Sequence, residues 1–322
     1  MQVIRGVPER ANGPVALTIG NFDGVHLGHQ AMLTRLRVAA RRLKVPACVM
    51  TFEPQPQEFF APDRAPARLT NLREKLRLLE SCSVDRTYVC RFGYDLARQD
   101  ANAFIEDVLQ RGVGVKWLLV GDDFRFGARR GGDYALLAAR AAECGYQVES
   151  MPSFAVEGVR ASSTAVRGAL ASGELDLAAS LLGRTYSIEG RVVRGAARGA
   201  KMGFPTANVA LHRLRPALAG IFVVEVEGID ATPVQGVASL GMNPTVTDQG
   251  RYTLEVFLFD FDRQIYGQRV RILFLKKLRD EAKFASVDAL IEQMDQDVKE
   301  ARSYFENRGA AHQERRDGTG EI

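Results

Sequence analysis

Along its first 182 residues the chain alternates short apolar runs with stretches of helical period. The runs VALTIG (15–20), ACVMTF (47–52), RTYVCRF (86–92), KWLLVG (116–121) and YQVESM (146–151) read as strands. Between the first two, LGHQAMLTRLRVAARRL places Met32, Leu33, Leu36, Ala39, Ala40 and Leu43 on one helical face. NLREKLRLLE, ANAFIEDVLQRG and DYALLAARAAECG keep that period, and the last two end at glycine, as helices commonly do. This alternation predicts an α/β domain with a doubly wound parallel sheet. Ligands of such sheets lie beyond the carboxyl ends of the strands, so the residues that follow VALTIG form a candidate site.

Near residue 183 the rhythm changes. YSIEGRVV (186–193), GIFVVEVEG (220–228), VQGVASLG (234–241), YTLEVFLFDF (252–261) and QRVRILFLKKL (268–278) read as antiparallel strands joined by glycine- and proline-bearing turns. A final helix, SVDALIEQMDQDVKEARSYF, opens at Ser286, a suitable cap. The pattern predicts a small β-barrel with one closing helix over 183–306, and a polar, disordered tail over 307–322.

Composition narrows the class. With 46% hydrophobic and 25% charged residues the chain matches folded globular proteins, which excludes a disordered chain. A net charge of +4, with Lys and Arg dispersed, suits small anionic substrates and gives no ground for a nucleic-acid partner. Cys48, Cys82, Cys90 and Cys144 form no C-x-x-C pair and show no metal-ligand spacing, so we expect reduced thiols and no zinc. No apolar run approaches the roughly 18 residues of a membrane span, and MQVIRGVPER carries no signal-peptide run. The expectation is a cytoplasmic protein without a membrane partner; homo-oligomer formation stays open.

Two of the four histidines, His26 and His29, stand three residues apart in TIGNFDGVHLGHQAML, Thr18 to Leu33. A helix beginning near Leu27 offers free N–H groups and a positive dipole end to a phosphate. The dipole contributes only about 0.3–2 kcal/mol, so side chains must help. Gly24 and Gly28 let the backbone approach a ligand, and the two imidazoles could hydrogen-bond a triphosphate and stabilise a leaving pyrophosphate. A plain strand-to-helix corner would carry the same letters. RASSTAVRGAL, Arg160 to Leu170, adds the Ser163 and Thr164 hydroxyls and the Arg167 guanidinium for a second face of the phosphates, or simply caps a helix.

The barrel half contains GAARGAKMGFPTANV, Gly195 to Val209. It is not a P-loop, because Lys201 follows Ala200 and precedes Met202, and no complete G-x-G-x-x-G occurs. FPTAN is either an ordinary turn or the start of a strand that shows Thr206 and Asn208 on one side, two neutral oxygens of the kind Mg²⁺ takes along with phosphates and water. Glu255 interrupts the apolar strand YTLEVFLFDF. It is an outward-facing carboxylate or, if it points into the barrel mouth beside Thr206 and Asn208, the base for an attacking hydroxyl.

These segments resemble the bacterial bifunctional riboflavin kinase/FAD synthetase family, whose first module belongs to the nucleotidyltransferases related to class I aminoacyl-tRNA synthetases. The first module's G-x-F-D-G-x-H-x-G-H stands as Gly20 to His29, T-F-E-P as Thr51 to Pro54, G-x-D-F-x-F-G as Gly121 to Gly127, and S-S-T-x-x-R as Ser162 to Arg167. FPTAN, GMNPT (Gly241 to Thr245), Glu255 and LRDEAKFAS (Leu278 to Ser286) resemble the kinase module.

The resemblance implies an FMN adenylyltransferase over 1–182 and a riboflavin kinase over 183–306, with ATP, riboflavin and FMN as substrates and Mg²⁺ as cofactor. It implies that His26 and His29 act on the ATP phosphates, with Ser163, Thr164 and Arg167 opposite, and that Asp123 and Phe124 help form a flavin pocket. In the barrel it implies Thr206 and Asn208 as Mg²⁺–ATP ligands, Gly203 in the nucleotide-binding segment, and Glu255 as activator of the ribityl 5′-hydroxyl. Arg279 and Phe284 would lie in a mobile loop closing over the isoalloxazine. The chain departs from the family pattern at Gln55 (often His), at Ala200 and Lys201 (often G-R-x-L-G), and at Ser239 (often Asn). A single-activity enzyme, a flavin-binding regulator and a different nucleotide substrate remain alternatives.

Overall fold

The computed structural model describes residues 1–195, 199, 202–213, 215–243 and 251–317. The chain divides into two compact units, Met1–Ala165 and Val166–Ile322.

The first unit is built on six parallel strands: β1 (Gln2–Arg5), β2 (Val15–Ile19), β3 (Ala47–Glu53), β4 (Arg86–Arg91), β5 (Val115–Gly121) and β6 (Gln147–Met151), in the order β1-β4-β3-β2-β5-β6. Alternation assigns each strand's residues to two cores. Leu17, Cys48, Met50, Leu118 and Val120 enter one, while Ala16, Val49, Trp117 and Leu119 enter the other with Leu33 and Leu36 of helix α1 (Leu27–Leu43). Both faces are therefore covered, and β2 is buried at every position. From β2 the chain winds through β3 to β4 on one side, and from β5 to β6 on the other, so the winding reverses between β2 and β5.

Helices α2 (Leu72–Ser81) and α3 (Tyr134–Cys144) form where the periodicity predicts them. The helix expected at 101–112 forms as Ala101–Ala103 followed by a π-helix, Phe104–Val113, and nothing in its sequence marks the wider turn. Strand β1 carries no sequence signal, because its four edge residues are mostly exposed and show no alternation.

In the second unit, α4 (Ser163–Ser172, whose first three residues belong to the first unit) and α5 (Leu175–Leu182) precede a closed antiparallel barrel. Helix α5 packs against the barrel strand that follows last, which places the contact boundary ahead of the change in sequence rhythm at 183. After the short antiparallel pair β7 (Ala155–Val156) and β8 (Val159–Arg160) of the first unit, the barrel strands are β9 (Ser187–Val193), β10 (Thr206–Val209), β11 (Gly220–Glu227), β12 (Val234–Asn243), β13 (Arg251–Leu258) and β14 (Arg269–Arg279), closed in the order β10-β13-β12-β11-β14-β9. Leu254 and Val256 fill the interior. Ile221, Val223 and Val237 face outward and are covered by Ala301 and Phe305 of α6 (Val287–Asp317).

Ser286 caps α6, its Oγ accepting the Ala289 N–H at 3.1 Å. The helix continues through residues 307–317, where polar composition predicted a disordered tail. Ala310, Ala311, Gln313, Glu314 and Arg315 are good helix formers, and extension of an existing helix avoids the cost of a new nucleus.

Candidate active sites

The loop Gly20–His26 leaves β2 at the point where the sheet reverses, beside the loop Gly121–Gly127 that leaves the neighbouring strand β5. Its backbone is strained: Phe22 (φ 48°), Gly24 (φ 81°) and Val25 (φ 41°) are left-handed, which costs about 1–3 kcal/mol for each non-glycine residue. Burial of Phe22 and Val25 offsets that cost, and so does Asp23. The buried Asp23 carboxylate accepts the N–H of Leu69 (3.1 Å), the N–H of Thr70 (2.9 Å) and the Thr70 hydroxyl (3.0 Å). The Gly24 N–H donates to the same hydroxyl at 3.0 Å. Asp23 thus anchors the loop.

His26 is the N-cap of α1, its Nδ1 accepting the His29 N–H at 3.3 Å. An Nδ1 that accepts leaves the ring proton on Nε2. The two imidazoles stack with centroids 3.7 Å apart, and Phe22 lies 4.8 Å from His29. A Cβ on Gly28 would sit 2.9 Å from the Ala161 carbonyl oxygen and 3.1 Å from His26 Nδ1, so only glycine allows this approach.

Burial holds the His29 imidazole well below the ordinary histidine value, reinforced by the neighbouring His26 and Lys75, so the ring is neutral at pH 7. Its Nδ1 is buried and finds no partner among the described residues. The Ser163 hydroxyl donates to the Asp23 carbonyl at 2.9 Å, and the Ser162 hydroxyl accepts the Ala165 N–H at 3.1 Å. Both serines therefore serve the loop and the start of α4, while Thr164 is exposed. Arg167 stands one turn further along α4, in the second unit.

Asp123 folds over Gly121 and accepts Arg160 Nη2 at 3.0 Å. Phe124 stacks on Phe126 with centroids 5.6 Å apart. Gln55, at the family's histidine position, is the N-cap of a five-residue helix, Pro56–Phe60. It is buried, and its Nε2 finds no partner among the described residues.

Sequence reasoning missed Lys75. It is fully buried, its Nζ donates to Thr51 Oγ1 at 3.4 Å, and burial lowers its pKa against the opposing pull of Asp23 and Glu53. The available signal was its position on α2, where Leu72, Lys75 and Leu79 share one face. Arg68 bridges Glu53 and Glu58 nearby in the chain.

The second site follows from strand register. Asn208 of β10 pairs with Glu255 of β13, Glu255 with Ser239 of β12, Ser239 with Ile221 of β11, and Ile221 with Arg279 of β14. Directly paired residues share a face, so these five form one row around the barrel wall. Thr206 lies two residues from Asn208 on the same face, and its hydroxyl donates to Glu255 Oε2 at 3.2 Å. Gly195 lets the chain pass against Asn208, since a Cβ there would lie 2.3 Å from the Asn208 amide.

The buried neighbours Leu254 and Val256 occupy the interior, so Glu255 lies on the outer wall and not in the barrel mouth. It is nevertheless enclosed: α6 and residues 280–286 cover that wall and leave a cavity of about 380 Å³ lined by Thr206, Ser239, Glu255, Arg279 and Phe284. This volume lies within the range of small-molecule sites. Gly203 (φ 87°) forms the turn before FPTAN, whereas Ala200, Lys201, Pro244 and Thr245 lie outside the described residues. Among the described residues, no three His, Cys, Asp or Glu side chains cluster as metal ligands.

Residues 9–165 match the FAD synthetase family and residues 182–305 the riboflavin kinase family. The chain is 48% identical over 308 residues to a bifunctional riboflavin kinase/FMN adenylyltransferase of Escherichia coli K12, covering 95% of this chain and 98% of that one. A protein of the same description from Haemophilus influenzae is 46% identical over 307 residues, covering 95% and 99%. A crystal structure described as a macrolide-efflux protein from Streptococcus pneumoniae shares the fold with a TM-score of 0.79 at 31% identity, covering 92% and 97%. Among the described residues no helix is long and apolar enough to cross a membrane. With relatives matched over nearly their whole length and both domain families in order, the chain belongs to the family of bifunctional riboflavin kinase/FMN adenylyltransferases.

Proposed function

We propose that the groove under α6 phosphorylates riboflavin with ATP to give FMN and ADP, and that the crevice between β2 and β5 joins FMN to AMP from ATP, giving FAD and pyrophosphate. The observation that carries this reading is the Thr206–Glu255 hydrogen bond inside a ligand-sized cavity, in a chain that also stacks two histidines at a sheet reversal.

In the groove, the ribityl 5′-hydroxyl attacks the γ-phosphorus of ATP, the bond to the β-bridging oxygen breaks, and Glu255 takes the hydroxyl proton. Glu255 is held for this by the Thr206 hydroxyl. The oxygens of Thr206 and Asn208 are hard, neutral donors that suit Mg²⁺, with the remaining positions left to phosphate and water. Bound there, Mg²⁺ would neutralise phosphate charge.

In the crevice, an oxygen of the FMN phosphate attacks the α-phosphorus of ATP and pyrophosphate leaves, a step that needs no covalent enzyme intermediate. A neutral His29 acts as a hydrogen-bond donor and not as a fixed cation, and its unpartnered Nδ1 supports a polar ligand at this place. Thr164 and Arg167 bind phosphate in this reading, Ser163 supports the loop, and Asp123 and Phe124 border the flavin. The four cysteines are free, which fits a reducing, cytoplasmic setting.

Chromatography of riboflavin, FMN and FAD over time, with ATP and Mg²⁺, tests both steps. FMN should appear and give way to FAD. Accumulation of FMN alone would remove the crevice assignment, and unchanged riboflavin would remove the groove assignment.

A further inference from the structure

Asp297 is a carboxylate on the apolar stripe of α6, in line with Leu290, Met294, Ala301 and Phe305, and it is 5% exposed. Both of its oxygens take the Arg279 guanidinium, Nε to Oδ1 at 2.8 Å and Nη2 to Oδ2 at 2.7 Å. Gln293 Nε2 donates to Oδ1 at 3.1 Å. A paired, planar fork of this kind fixes the orientation of the guanidinium as well as its position. The fixed group then reaches the covering segment at two points: Nη1 donates to the Asp280 carbonyl at 3.1 Å, and Cζ lies 5.6 Å from the Phe284 ring centroid. Phe284 lines the same cavity as Glu255.

We propose that Asp297 is a positioning residue for the flavin: through Arg279 it holds Phe284 as a fixed aromatic wall of the groove. The proposal rests on reading the groove as the riboflavin kinase site. It adds to the role of Arg279, which lines the cavity itself, has its charge matched by Asp297 and orients the Phe284 ring. A planar isoalloxazine lying on a wall already in place loses less freedom on binding than one that must order the wall itself.

The test is Asp297→Asn, which keeps the shape and removes the charge. The KM for riboflavin should rise about tenfold, the scale of one charge-assisted hydrogen bond, with kcat within about twofold and the KM for ATP unchanged. Riboflavin titration followed by flavin fluorescence should show the same loss of affinity without turnover. Phe284→Ala should raise the KM similarly, and the double variant should be no worse than Phe284→Ala alone. If Asp297→Asn melts too early for kinetics, Arg279→Lys carries the same test, since it keeps the charge and loses the fork.

An unchanged riboflavin KM, or fully additive single variants, would overturn the proposal. So would equal losses in kcat and in both KM values together with a lowered melting temperature, which would make the pair a structural staple. A wild-type protein that forms no FMN would instead refute the assignment of the groove.

Discussion

Replacing Gly28 with alanine places one methyl group where the first site has no room. The new Cβ would lie 2.9 Å from the Ala161 carbonyl oxygen, about 0.5 Å inside ordinary contact, and 3.1 Å from His26 Nδ1. The carbonyl belongs to the backbone and cannot rotate aside, so relief comes from moving the start of α1, and with it the imidazole that caps the helix and stacks on His29. Overpacking of this size costs about 1–3 kcal/mol in stability. A misplacement of about 1 Å in a catalytic group costs about a hundredfold in rate, so half that distance should slow FMN adenylylation about tenfold. The assay is FAD formation from FMN, with riboflavin phosphorylation by the same preparation as the internal control. A variant with wild-type FAD formation and an unchanged melting temperature would refute the argument that Gly28 is required by the approach of Ala161.

Other expectations follow from the same geometry. Glu255→Gln keeps an acceptor for the Thr206 hydroxyl and loses the base, so riboflavin phosphorylation should fall about 10²–10⁴-fold while FMN adenylylation persists; normal kinase turnover would exclude Glu255 as base. Because the folded pKa of His29 lies below the unfolded value of about 6.5, its contribution to stability is complete above that pH and declines as pH falls below it. Urea unfolding at about pH 5.5 and about pH 7.5 should therefore show a larger acid loss for the wild type than for His29→Gln, and equal losses would contradict the buried neutral ring. Chelation of divalent cations should stop both reactions, with Mg²⁺ restoring them. FMN formation that survives excess chelator would take Thr206 and Asn208 out of any metal role.

Sequence pattern located most elements because their residues face one environment at a time. Helix α1 spans the residues that its apolar stripe predicts, and the barrel strands β9, β11, β12, β13 and β14 end within three residues of the predicted bounds, while β10 is only one of the two readings of FPTAN. The pairing of Thr206 with Glu255 needed register, which links positions 49 residues apart. Glu255 shows why the two sequence alternatives could not be separated: it does face outward, yet α6 roofs that face and makes a cavity of it. Lys75 and Asp297 escaped for a related reason. Each is a charge on the apolar stripe of a helix, and its partner, Thr51 or Arg279, lies on another element 24 or 18 residues away. A charged residue on such a stripe is a usable signal, although it does not name the partner. Strand β1 offered no signal at all, since an exposed four-residue edge strand has no alternation to detect.

The row Asn208–Glu255–Ser239–Ile221–Arg279 has a consequence for how this half can vary over time. Successive side chains on each strand point to opposite sides of the wall, so losing or gaining one residue within β13 would turn Glu255 into the apolar interior and bring Val256 to the groove. One such event would disable the kinase and bury an unpaired carboxylate at once. Length changes near Glu255 are thus confined to the turns that flank β13, whereas the pairing of β11 with β14 already carries two register shifts and tolerates them away from that carboxylate.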